Sequence, residues 1–95
     1  MTLFKGTVGT TAVFVEVHIS DESGDLIMAG QDLGGTVAEF FGKDEYEYFL
    51  SVPADQKDRL LLYLMQHVFG GRAETRTAIA DWLDARQIPY SLHSF

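Results

Sequence analysis

Cysteine is absent from this 95-residue sequence, which removes disulfide scaffolds, thiolate metal sites and cysteine nucleophiles together. Positive charge is scarce. Seven lysines and arginines stand against fourteen aspartates and glutamates, a formal net charge of −7. A phosphate backbone needs cations opposite it, so direct nucleic-acid binding is not expected. Long apolar runs are missing too. The longest, Ala12–Val15 and Leu60–Met65, fall far short of the roughly 20 residues a membrane-spanning helix requires. The start, Met1-Thr2-Leu3-Phe4-Lys5-Gly6, lacks the basic-then-apolar pattern of a secretory signal, so a cytoplasmic location without membrane association is expected. No internal repeat or low-complexity tract is visible.

What is present is the composition of a folded soluble chain, with 46% hydrophobic and 22% charged residues. At this length a single domain over residues 1–95 is the expectation, burying roughly 65% of its unfolded surface. The net charge is unevenly placed. Residues 1–50 hold nine acids against Lys5 and Lys43, whereas residues 51–95 hold five acids against five bases. The entire excess therefore lies in the first half, which points to a partner, with a solvated face as the plainer alternative.

Hydrophobic periodicity outlines the elements. From Thr11 to Ser20 the sequence alternates, with Val13, Val15, Val17 and Ile19 on one face and Phe14, Glu16 and His18 on the other. Asp21–Asp25 reads as a turn in which Gly24 takes a positive φ, and Leu26–Gly30 as the returning strand. Leu3–Val8 reads as an earlier strand or a frayed lead-in, weakened by Gly6 and Gly9. Residues 31–44 are irregular, with capping-box spacing at Thr36-Val37-Ala38-Glu39 and a closing glycine at Gly42. A connection of this length is often functional. Glu45–Val52 alternates again, with Tyr46, Tyr48, Leu50 and Val52 on one face and Glu45, Glu47, Phe49 and Ser51 on the other. Pro53 suits a first helical position, Asp55 and Asp58 suit the first turn, and Leu60, Leu61, Leu64 and Val68 form a stripe expected to be buried. Gly70-Gly71 closes that helix. A second helix is expected from about Arg72 to Gln87, with Ala78, Ile79, Trp82 and Leu83 as its apolar face.

Ile88-Pro89 breaks the second helix, and Tyr90–Phe95 reads as a short last strand antiparallel to the third. The expected fold is α+β: an antiparallel sheet of about four strands in the order β-β-β-α-α-β, with a two-helix hairpin packed on one face. The opposite face, with Phe14, Glu16, His18, Glu45, Glu47 and Phe49, would meet solvent or a partner.

Familiar chemistries fail one after another. His18, His67 and His93 have no ligand spacing, so no metal site is assigned. The acidic turn from Asp21 places Ser23 and Leu26 where a calcium loop needs a ligand and a glycine. Gly30 and Gly35 have phosphate-loop separation, but Thr36 replaces the lysine and Asp32 would repel a phosphate, so these glycines serve backbone conformation. No serine sits in a G-x-S-x-G elbow. No cofactor is implied. An enzyme is not expected, and a hydrolase using His18 with a nearby acid is the remaining catalytic alternative.

Protein binding fits better. Aromatic anchors Phe40, Phe41, Tyr46 and Phe49 lie among Asp32, Glu39, Asp44, Glu45 and Glu47, the composition of a protein-binding patch. For Tyr46 and Tyr48 the competing expectation is the buried face of a strand.

The segments Gly-Gln-Asp-Leu-Gly (30–34), Phe-Phe-Gly (40–42), Tyr-Glu-Tyr (46–48), Val-Pro (52–53) and Ile-Pro-Tyr (88–90) resemble a group of small, mostly uncharacterised bacterial proteins over about residues 24–92. Size and acidity also resemble immunity proteins, including those of contact-dependent growth inhibition. The resemblance implies a non-enzymatic bacterial protein that binds and blocks a basic toxin domain, often a nuclease, and it supplies no catalytic residues. A regulatory or structural interaction module, homodimeric through its terminal strand edge, is the alternative.

Overall fold

The computed structural model describes residues 1–35 and 45–94. Its chain forms two compact units, Met1–Lys57 and Asp58–Phe95. The first is an antiparallel sheet of four strands in sequence order: β1 (Thr2–Val8), β2 (Thr11–Ile19), β3 (Leu26–Leu33) and β4 (Glu45–Val52). A 3₁₀ turn (Ala54–Gln56) then leads into α1 (Lys57–Phe69), and α2 (Thr75–Asp84) follows. The chain is α+β, with four antiparallel strands followed by two helices.

The position of the fourth strand corrects the expected order. Thr2–Val8 is a full strand, and residues 88–94 form no strand. Among the described residues the order is thus β-β-β-β-α-α. A strand needs a ladder neighbour as well as a local pattern. β1 obtains one because Gly9, at φ 64°, turns the chain tightly enough to pair Val8 with Thr11. A glycine with positive φ followed by one residue is what a two-residue hairpin loop requires. The irregular segment also begins later than expected, because Gln31, Asp32 and Leu33 continue the β3 ladder opposite Phe14, Val13 and Ala12. Gly34 and Gly35 then leave the strand at φ 84° and 35°, and a Cβ on Gly35 would collide with Thr10.

Strand register sorts the side chains. One face carries Val13, Val15, Val17 and Ile19 with Leu26, Met28, Tyr46, Tyr48, Leu50 and Val52. On this face the Tyr48 ring lies directly over Gly30, where any Cβ would clash with the ring carbons. The loop between β2 and β3 closes through Ser20, whose N–H donates to the Asp25 carbonyl at 2.9 Å, with Gly24 at φ 76°. Asp25 also reaches across the unit. Its Oδ1 accepts the Ala54 N–H at 2.8 Å and caps the 3₁₀ turn that Pro53 precedes.

In the second unit, Phe69 of α1 meets Trp82 of α2 edge-to-face, with ring centroids 6.2 Å apart. Thr75 Oγ1 donates to the Arg72 carbonyl (2.6 Å) and lies 3.2 Å from that of Phe69, sealing the interhelical turn. Among the described residues Phe69 is the buried large apolar side chain. The stripe expected to be buried is a correction: Leu60 is half-buried, while Leu61, Leu64 and Val68 share a helical face yet are exposed, at 57%, 49% and 49%. Spacing establishes a face, whereas burial depends on what covers it. The second helix is also shorter than expected. It ends at Asp84, and the turn that follows closes with the left-handed residue Gln87 at φ 57° and the Ile88 N–H donating to the Leu83 carbonyl. No helix among the described residues is long and apolar enough to cross a membrane.

Candidate functional site

The second sheet face gathers the acids. In the register, Glu16 of β2, Ala29 of β3 and Phe49 of β4 form one cross-strand row, and Phe14, Gln31 and Glu47 form the adjacent row. Glu45 lies opposite Leu33 at the next position along β4 on this face. His18, Ile27 and Ser51 make the row beyond Glu16 on the other side. Lys5 of β1, paired with Phe14, adds a cation to this face. Strand alternation alone accounts for this segregation, because every second side chain emerges on the same side.

Two open depressions mark the face, one on either side of the Phe14 ring. The first, about 220 Å³, is lined by Phe14, Glu16, Ala29, Gln31, Glu47 and Phe49 together with the Gly30 backbone. The second, about 370 Å³, lies toward β1 and includes Lys5, Thr7, Ala12 and Leu33. Phe49 is 68% exposed, so a phenyl ring stands in water among carboxylates. Gln31 Nε2 donates to Glu45 Oε1 at 2.5 Å, fixing that carboxylate across β3 and β4.

The residues expected from the sequence to bind a partner do not all converge. Glu45, Glu47 and Phe49 share the acidic face. Asp32 and Tyr46 face each other on the opposite, apolar side. There Asp32 Oδ1 accepts the Tyr48 hydroxyl at 3.1 Å, and the Tyr46 and Tyr48 rings are 5.7 Å apart. Burial, reinforced by the Asp32 carboxylate, raises the pKa of Tyr48 above the usual tyrosine value of 10.0. Glu39, Phe40, Phe41 and Asp44 lie outside the described residues, as do the capping-box segment and Gly42.

The chain matches no protein-family model, no curated protein and no solved structure. Its own geometry therefore carries the functional reading. Phe14 and Glu16, which alternation already places on the side expected to meet solvent or a partner, complete the acidic face with Gln31, although none of the three is among the binding residues chosen from the sequence. Alternation continued past Gly30 is the signal for Gln31. Among the described residues no three histidines or carboxylates are grouped as metal ligands. What the face offers chemically is carboxylate charge around exposed phenyl surface, a combination suited to a cationic protein surface.

Proposed function

We propose that this chain is a non-enzymatic, immunity-type inhibitor that binds and blocks a toxin domain with a basic active-site surface, a nuclease being the leading class. The observation that carries the reading is the convergence of Glu16, Glu45 and Glu47 around exposed Phe49 on one sheet face. Carboxylates so placed would occupy positions a nuclease reserves for phosphates. Long-range attraction would speed encounter, while burial of Phe49 and Phe14 would supply most of the affinity. The resemblance to small acidic bacterial immunity proteins points the same way, and under this reading the inhibitor would act in the cytoplasm of the cell it protects.

The test is to look beside this chain's gene for a toxic nuclease domain and to measure whether the chain inhibits it. Charge reversal at Glu45 and Glu47 together is expected to slow association at least about tenfold, and Phe49→Ala to speed dissociation. Unchanged kinetics in both variants would move the interface elsewhere. Absence of any inhibition would reject the immunity reading.

A second reading has its own observation. Among the described strands β1 is an edge of the sheet, and Leu3 and Val8 on it are 58% and 62% exposed. An edge of this kind suits a homodimeric interaction module unconnected with toxins. A mass that rises with concentration in sedimentation, without a toxin partner, would favour it.

A further inference from the structure

We infer that the depression between Phe14 and Phe49 is a receptor for a single arginine side chain of the protein partner. The inference rests on the acidic face being the docking surface. The two cross-strand rows place Phe14 and Phe49 on one diagonal and Glu16 and Glu47 on the other. The middle strand supplies Ala29 and the Gly30 backbone as a floor, which is why a hollow of about 220 Å³ exists between the rings. Outer strands of a three-strand set lie about 10 Å apart, a span that one planar cation bridges when side chains lean inward.

The chemistry selects the occupant. A guanidinium is flat, weakly hydrated and permanently charged, so its face stacks on phenyl while its edges donate to carboxylates. Gln31 directs its amide nitrogen toward Glu45, and its carbonyl oxygen is a further acceptor that a guanidinium can use. An ammonium lacks the plane and holds its water more strongly, so lysine fits less well. An apolar side chain would desolvate Glu16 and Glu47 without replacing their hydrogen bonds. Phosphates and other anions would meet two carboxylates.

The experiment uses the full chain and two capped peptides, tri-arginine and tri-lysine, titrated at low salt and followed by NMR. The ring resonances of Phe14 and Phe49 and the Gly30 amide are expected to shift saturably. Tri-arginine should bind about three- to fivefold tighter than tri-lysine, the ratio that a surface cation–π contact supplies. Phe49→Leu keeps an apolar strand residue and should erase that preference, while Glu16→Gln should weaken both peptides. An unchanged dispersed amide spectrum shows that each variant is folded. Equal binding of the two peptides, or a preference untouched by Phe49→Leu, would overturn the inference. Saturable shifts confined to other acids, such as Asp21 and Glu22, would also overturn it while leaving an acidic docking surface intact. No shift with either peptide would remove both the receptor and the docking reading.

Discussion

Tyr48 shows how much one side chain can fix. Its ring fills the space that Gly30 vacates, its hydroxyl donates to Asp32, and it leans on Tyr46. Gly30→Ala is therefore expected to destabilise the sheet unit by about 1–3 kcal/mol, read from urea unfolding, because the ring must move to admit a methyl group. The raised pKa of Tyr48 has a definite pH signature. In the unfolded chain tyrosine ionises near pH 10.0, whereas the folded chain retains the proton to higher pH. Stability from this group is complete below about pH 10 and falls as pH rises through the folded pKa. Tyr90 adds a slope of the same sign, its pKa raised chiefly by a hydrogen bond to Asp84. Unfolding free energy compared at about pH 9 and about pH 11 should thus drop less in Tyr48→Phe than in the parent. The alternation at 46–52 revealed the strand face of Tyr48. Its partners were harder to see, because Gly30 and Asp32 stand among glycines that imitate a loop.

Elements owe their ends to particular residues, and these ends are testable. Asp25 caps the turn after Pro53 from a distant loop, so Asp25→Ala should cost about 1 kcal/mol, and Asp25→Asn less, in denaturant midpoints at constant slope. Gln87 closes the turn after α2 in the left-handed region, where glycine is unstrained. Gln87→Gly is expected to stabilise the helical unit by roughly 1 kcal/mol, measured the same way. The sequence conveyed β2, β3 and β4 well, because alternation with β-branched residues records a sheet face directly. It conveyed β1 poorly, since Gly6 and Gly9 dilute the pattern and the two-residue turn at Gly9 is a feature of geometry. It overstated a final strand, because Tyr90 and Leu92 supply a period of two without a ladder. The α1 stripe was legible as a face and misleading as a core, since spacing does not say what lies opposite.

For the whole molecule, the decisive property is that its charge excess resides in residues 1–50. Within the sheet it divides further, with Glu16, Glu45 and Glu47 on one side and Asp32 engaged by Tyr48 on the other. If this face meets a basic partner, association should slow at least about tenfold between roughly 0.02 and 0.5 M salt, because the Debye length contracts severalfold over that range. Stopped-flow mixing at the two ionic strengths reads the effect. Dissociation, governed by the buried rings, should change far less.

Trp82 is the single tryptophan of the chain, and it belongs to the helical unit, with the Arg86 guanidinium 3.8 Å above its ring and Phe69 at its edge. Its fluorescence therefore reports on the helical unit through its contacts with Phe69 and Arg86. Superimposable melting curves from indole emission and from β-sheet circular dichroism would make the two units one cooperative object. Separated curves would make the sheet, with its acidic face, an autonomous binding module.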